Sequence, residues 1–427
     1  MKIGFISLGC AKNLVDSEYL IGLFLDPYFE IETDPKKCDA ILINTCGFIL
    51  SAKQEAINTI LEMAELKKDK LKYLIVTGCL TQRYYEDLLK EMPEVDLFIK
   101  IEDYPRAHEL LEKLFNHKFI NTYGKTRKLI NGNRSAYLKI SDGCDNRCAY
   151  CAIPLIRGNN KSYPIENLVK EAKRLYDLGI RELNVVAQDT TTYGRDIYNK
   201  LALKDLLIEL DKIDFKWIRI LYMYPDEIED ELLDTIKASK HIIPYFDIPV
   251  QYGNDHLLKL MNRRGSVKLI EERVNKIREM FKDAYIRTTL IVGFPGETDD
   301  TFKDTINMVK KLKFDSLGSF TYSKEEDTAA YEMDNEVSEE LMNIRHKELM
   351  LVQKKIVEDK LKAKIGKHYE ALIENYNGDK YLARSYESAP DDVDSCIYVE
   401  GKDLKIGDFV EIEIIGYNEY DLIAKAI

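Results

Sequence analysis

Between residues 136 and 335 the chain repeats one pattern six times: a short, nearly continuous apolar run, then a stretch of helical character. The runs lie at 137–141, 182–187, 217–223, 245–250, 285–292 and 316–322. Runs this short and this apolar are the mark of strands buried on both faces in a parallel sheet. The segments between them are 166–179, 202–213, 226–240, 255–282 (broken near Gly265) and 299–312. Six βα units in series form either an open α/β sheet or an incomplete barrel. In both, reactive groups belong at the C-terminal ends of the strands.

The flanking regions differ. Residues 1–125 carry three similar runs, at 3–8, 40–44 and 73–77, each followed by a helical segment, as in a small doubly wound α/β domain. Residues 126–135 read as a polar linker and 336–365 as one charged amphipathic bridging helix. From 366 to 427 short runs at 369–376, 380–385, 395–399 and 408–415 suggest a five-stranded antiparallel β-barrel of the oligonucleotide-binding general type. A 427-residue chain with 45% hydrophobic and 32% charged residues can bury such cores. Its apolar runs fall short of the roughly 18 residues that span a bilayer, and the N-terminal residues lack a signal-peptide pattern. The expectation is a cytoplasmic protein with no membrane partner. A net charge of −12 disfavours free nucleic acid as a ligand and suits a basic protein.

Eight cysteines are too sparse for a disulfide framework, so metal binding or catalysis is the first chemistry to consider. Cys144-Asp145-Asn146-Arg147-Cys148-Ala149-Tyr150-Cys151 places three of them in a C-x3-C-x2-C triplet just past the first strand of the six-unit region. Three thiolates on one tight loop can hold three irons of a 4Fe-4S cubane. The fourth iron is then open to the amino and carboxylate groups of S-adenosylmethionine (SAM). Zinc normally takes four protein ligands, or three and a water, and gains nothing from this spacing. Cys10, Cys46 and Cys79 are far apart in sequence but equivalent in place. Each lies just beyond a predicted parallel strand, with Gly9, Gly47 or Gly78 beside it to permit close backbone approach. Such strand ends converge on one crevice in a doubly wound sheet, so the three read as a second cluster-holding set. The competing reading is three buried structural cysteines. Cys38 and Cys396 have no such company, and no two histidines have metal-ligand spacing.

The words Leu8-Gly9-Cys10-Ala11-Lys12-Asn13, Asn44-Thr45-Cys46-Gly47-Phe48, Thr77-Gly78-Cys79-Leu80-Thr81-Gln82-Arg83, Lys139-Ile140-Ser141-Asp142-Gly143-Cys144 and Ile291-Val292-Gly293-Phe294-Pro295-Gly296-Glu297-Thr298 resemble those of methylthiotransferases in the radical SAM superfamily. The resemblance covers nearly the whole chain. It implies an N-terminal cluster domain, a central radical SAM (βα)6 partial barrel and a C-terminal TRAM barrel. It also implies two 4Fe-4S clusters. One, on Cys144, Cys148 and Cys151, reduces SAM to methionine and a 5′-deoxyadenosyl radical. The other, on Cys10, Cys46 and Cys79, delivers methylated sulfur to the carbon that the radical has stripped of hydrogen. An electron donor of flavodoxin or ferredoxin type is implied as well, together with a sulfur donor that the sequence does not identify.

Within that family, Val186-Ala187-Gln188-Asp189-Thr190-Thr191, Tyr245-Phe246-Asp247-Ile248-Pro249-Val250-Gln251 and Ala389-Pro390-Asp391-Asp392-Val393-Asp394 are similar to members that modify an aspartate β-carbon in the twelfth protein of the small ribosomal subunit. Ser395, where glycine is usual, and Lys161-Ser162-Tyr163, where arginine usually follows serine, depart from the pattern. From Leu361 to Ile427 there are eight Lys or Arg against fourteen Asp or Glu, a net −6 that repels RNA and attracts a basic ribosomal protein.

Among candidate SAM contacts, Tyr150 could pack against adenine or be a core tyrosine. Gln188 and Asp189 end the second strand, where related enzymes bind the methionine amino group, and Gln251 and Gly293 lie at later strand ends. Arg157 and Arg219 could clamp carboxylates, surface ion pairs being the default for arginine. Two rival functions are a tRNA-adenosine methylthiotransferase and a non-catalytic iron–sulfur electron carrier. The carrier has little use for an open iron or six βα units.

Overall fold

The computed structural model describes residues 1–130, 134–390 and 394–427. Residues 131–133 of the expected linker and Asp391, Asp392 and Val393 of the acidic word lie outside the described residues. The chain packs as two compact units. One comprises Met1–Gly132, Asp142–Lys161 and Ser323–Tyr331; the other comprises Asn133–Ser141, Ser162–Tyr322 and Glu332–Ile427.

The first unit is built on a parallel sheet of β1 (Lys2–Ser7), β2 (Glu30–Ile31), β3 (Ala40–Thr45), β4 (Tyr73–Gly78) and β5 (Leu97–Ile99), in the order β2-β1-β3-β4-β5. The strand alternation sorts side chains between two cores. Ala40, Leu42 and Ile75 meet Leu20, Phe24 and Leu111 on one face. Ile41, Ile43, Leu74 and Val76 meet Ile60, Leu80 and Leu88 on the other. Helices on both faces and a strand order that reverses beside β1 make the sheet doubly wound. The ligand crevice of such a sheet lies at the carboxyl ends of the strands, at the point of reversal. The two-residue β2 and three-residue β5 at its edges are too short to announce themselves as apolar runs.

In the second unit the six expected strands are all present: β6 (Ser135–Lys139), β7 (Glu182–Val186), β8 (Trp217–Ile220), β9 (Ile242–Asp247), β10 (Tyr285–Val292) and β11 (Ser316–Thr321). They pair in parallel in strict chain order, without reversal and without closure. That order decides between the two expected architectures in favour of the incomplete barrel, because an open doubly wound sheet must reverse. Between β9 and β10 the helical stretch breaks where Gly265 takes φ +88, and Ser266 caps the next helix through its hydroxyl.

The helix Glu339–Lys362 leads into β12 (His368–Tyr376), β13 (Tyr381–Arg384), β14 (Ile397–Glu400), β15 (Phe409–Asn418) and β16 (Asp421–Ala426), a closed barrel. It is not wholly antiparallel: β14 pairs with β16 in parallel. An odd number of strands cannot alternate direction all the way round a closed ring. Among the described residues no helix is long and apolar enough to cross a membrane.

Candidate active site

Cys10, Cys46 and Cys79 each follow the last residue of a strand, or lie three beyond it, on the adjacent strands β1, β3 and β4. Parallel strands lie about 4.8 Å apart, so their C-terminal ends bring the three turns together. The glycines beside them leave no room for a side chain. A Cβ on Gly9 would sit 2.9 Å from the Cys46 Cβ, and one on Gly47 would sit 2.9 Å from the Cys79 carbonyl carbon and 2.7 Å from the Leu80 nitrogen. A Cβ on Gly78 would come within 2.3 Å of Asn44 Oδ1, and both Gly9 and Gly78 adopt positive φ.

A buried amide network holds these turns. Asn13 Nδ2 donates to the Thr45 carbonyl at 2.9 Å, and Asn44 Nδ2 donates to the Asn13 carbonyl at 2.8 Å. The Thr45 hydroxyl donates to the Thr77 carbonyl. The Cys79 thiol lies 3.4 Å from Asn13 Oδ1. Burial and then the neighbouring Cys79 push the Cys46 thiol up to about 11. Burial likewise raises Cys79. Surrounding protein atoms push the Cys10 thiol up too, but the Lys12 and Arg157 cations bring it below its ordinary value, although the residue is open to solvent.

The second triplet lies in the same unit. Cys144 and Cys148 are buried and Cys151 is half-buried. The loop is tightly wound: Cys144 N–H donates to the Gly158 carbonyl at 3.1 Å and Cys151 N–H to the Cys148 carbonyl at 3.0 Å. Arg147, between the first two cysteines, takes the left-handed φ of +53. A Cβ on Gly143 would strike the Asn159 carbonyl oxygen at 2.1 Å. From the segment Ser323–Tyr331, Ala330 N–H donates to the Ala149 carbonyl at 2.8 Å. Glu325 of that segment receives Lys53 and Arg83, each at 2.8 Å.

Just after the triplet, the short helix Ile153–Arg157 packs against the Cys79 turn: Ala152 and Ile156 form an apolar cluster with Cys79. Arg157 reaches across as well. Its side chain is 2% exposed, with Nη1 2.7 Å from Asp142 Oδ1 and Nη2 2.8 Å from Asp16 Oδ2. Nη2 also lies 2.7 Å from Asn13 Oδ1 and 3.9 Å from Cys79 Sγ. Arg219 is wholly buried, its Nη2 2.9 Å from Glu182 Oε1. Neither arginine is the surface ion pair expected of it, because each meets a buried carboxylate that only the fold brings near.

The remaining candidates divide between the units. Tyr150 is half-buried on the cysteine loop. In the second unit, Gln188 lies just past β7 with both amide atoms shielded from solvent and, among the described residues, without a hydrogen-bond partner. Asp189 is buried and its carboxylate accepts from the Thr191 N–H at 3.0 Å and from the Thr191 hydroxyl. Gln251 has φ +76, a strained setting for a residue with a side chain, and bridges to Leu290 of β10. Gly293 follows β10 with φ +80; its N–H goes to Glu297 Oε2 at 2.9 Å, and a Cβ there would strike Met342 Cγ at 2.1 Å. Asn13, Asp16 and Asn44 were not singled out from the sequence as separate candidates. For Asn13 and Asn44 the only local signal is their place in the words around Cys10 and Cys46, and Asp16 lies outside both words.

Among the described residues no three His, Cys, Asp or Glu side chains are gathered tightly enough to share one metal ion. Both cysteine sets offer three free thiols and no oxygen or nitrogen ligand, and an all-sulfur donor set suits iron–sulfur chemistry.

Comparison with known proteins gives a consistent result. Residues 138–309 match the Radical SAM superfamily, residues 2–100 the uncharacterized protein family UPF0004 and residues 365–427 the TRAM domain. The ribosomal protein uS12 methylthiotransferase RimO of Alkaliphilus oremlandii is 46% identical, covering 100% of this chain and 99% of that protein. The RimO of Clostridium botulinum is 45% identical, covering 99% and 97%. Among solved structures, the radical SAM methyltransferase TsrM of Kitasatospora setae, with cobalamin and a 4Fe-4S cluster bound, has a TM-score of 0.59 at 14% identity, covering 77% of this chain and 76% of that one. At that identity the likeness concerns the fold alone. Identity near one half along the full length of both chains means that this protein belongs to the RimO family of ribosomal protein uS12 methylthiotransferases.

Proposed function

We propose that the protein is a radical SAM methylthiotransferase that adds a methylthio group to the β-carbon of an aspartate in ribosomal protein uS12. The observation that carries this reading is the presence of two three-cysteine sets in one compact unit, in a chain that is a full-length RimO relative. Cys144, Cys148 and Cys151 would hold the 4Fe-4S cluster that binds SAM, and Cys10, Cys46 and Cys79 a second one. When bound, these groups supply one-electron cleavage of SAM, hydrogen removal from an unactivated carbon and the sulfur to be transferred.

The chain's own residues bind, orient and exclude water. Gln188 offers a shielded amide, with donors and an acceptor suited to the carboxylate and amino groups of methionine. Gln251, held at a strained strand end, offers a second amide, and Tyr150 a ring for adenine. Asp189 spends its carboxylate on the Thr191 turn and so sets the direction of the chain after Gln188. Gly293 supports that same edge by admitting Met342. The burial of Cys144 and Cys148 helps keep water from a reactive carbon radical. The acidic barrel, net −6 from Leu361 to Ile427, favours a basic ribosomal protein over RNA. The reaction takes place in the cytoplasm, with a flavodoxin- or ferredoxin-type electron donor.

The test is anaerobic incubation of the reconstituted protein with SAM and dithionite, supplying uS12 or tRNA. Mass spectrometry should find one added methylthio group on a uS12 aspartate. Product on tRNA alone would overturn the substrate, and no methionine or 5′-deoxyadenosine from SAM would overturn the reaction class.

A further inference from the structure

Arg157 is a buried cation in a place that stability alone explains poorly. Buried ion pairs can often be replaced by apolar side chains at little cost. Here a guanidinium comes from the helix after one cysteine set and inserts at the turn carrying a cysteine of the other. Its Nη2 is shared among Asp16, Asn13 and the Cys79 sulfur, 3.9 Å away. Asp16, wholly buried on the helix that Cys10 caps, supplies the opposing charge.

We propose that Arg157 is a positioning residue that sets the reduction potential of the cluster held by Cys10, Cys46 and Cys79, with Asp16 acting as its counterweight. This rests on the two-cluster reading above. Adding an electron makes a cluster more anionic. A nearby cation favours that state and raises the potential, and an anion lowers it. Burial at low dielectric keeps both effects from being screened. Charge and hydrogen bonds to cluster sulfur are established levers on iron–sulfur potentials. The same side chain grips Asp142, two residues before Cys144, so the electrostatics of one site are fixed by the segment that carries the other.

The experiment uses the full chain with Cys144, Cys148 and Cys151 replaced by alanine, so that only the second cluster is present. Its midpoint potential is followed by electron paramagnetic resonance during redox titration. Arg157→Gln should move the midpoint to more negative values and Asp16→Asn to more positive ones, while Arg157→Lys should stay nearer the parent. A purely structural role does not give shifts of opposite sign. If Arg157→Gln takes up no iron, Asp16→Asn decides, and an unmoved or negative shift overturns the proposal. Unmoved or same-sign midpoints in iron-replete variants overturn it alone. A parent that binds no iron overturns the two-cluster reading together with it.

Discussion

Glu182 Oε2 lies 2.6 Å from Nη2 of Arg384, joining the first residue of β7 to the last of β13. Arg219 of β8 meets the other oxygen of the same carboxylate at 2.9 Å, and all three side chains are shut off from solvent. Close by, Tyr245 donates to Asp394 at 2.6 Å. The small barrel is thus held to the parallel sheet by a carboxylate between two guanidinium groups. It is not tethered by the helix Glu339–Lys362 alone.

That arrangement has a pH signature. Burial pushes the Glu182 carboxyl up, but Arg384 and then Arg219 hold it down to about 2. An unfolded glutamate titrates near 4.3. The stabilisation is therefore complete above roughly pH 4.3 and is lost as the pH falls from there toward 2, a contribution of about 3 kcal/mol. Glu182→Gln should flatten that part of the stability profile. At neutral pH it should cost about 3–5 kcal/mol by leaving buried Arg219 without a carboxylate, while Arg384 keeps Glu374 at 2.7 Å. Urea unfolding across this pH range measures both.

The two cysteine sets should separate into two functions. Cys148→Ala should abolish the formation of methionine and 5′-deoxyadenosine from SAM. Cys46→Ala should keep that cleavage while yielding no methylthiolated uS12. Chromatography of the SAM products beside mass spectrometry of the protein substrate checks the pair.

Iron uptake at the second set should rise with pH. The thiolate is the ligating form, and with Cys46 near 11 and Cys79 also raised, both begin as thiols at neutral pH. Below that value, each unit rise in pH raises the Cys46 thiolate fraction about tenfold. In the variant lacking Cys144, Cys148 and Cys151, loading should proceed faster at pH 9 than at pH 7, as followed by absorbance. An equal rate at the two would contradict these thiol assignments.

Gly143→Ala should empty the first set with every cysteine intact. The new Cβ would strike a carbonyl oxygen at 2.1 Å with φ at +73, and backbone strain of this kind costs about 1–3 kcal/mol. Gly158→Ala is the control: with φ +70 and ψ −157 it carries a similar backbone strain of about 1–3 kcal/mol, but nothing among the described residues lies within 4 Å of the added carbon, so the collision is absent. Iron content and melting temperature distinguish the two.

What could be read from the sequence was what local pattern determines. The six central strands announced themselves as apolar runs, and Cys10, Cys46 and Cys79 gained meaning from repeated placement after such runs. β16 leaves no such run in the sequence, because its six residues begin with Asp421 and include Lys425. The parallel β14–β16 pairing follows from closing an odd ring, which no single strand reveals. Arg157 and Arg219 looked like surface residues because their partners are remote: Asp16 lies 141 positions before one, and Glu182 lies 37 before the other. Long-range charge pairing leaves no periodic trace in a chain.

The most direct measurement is the iron and sulfide content of anaerobically prepared protein, with and without Cys10, Cys46 and Cys79. The expected result is about eight of each per chain for the native protein and about four once those three are alanine. About four of each in both proteins would mean that the three strand-end cysteines hold no cluster, and the sulfur-insertion account would fail.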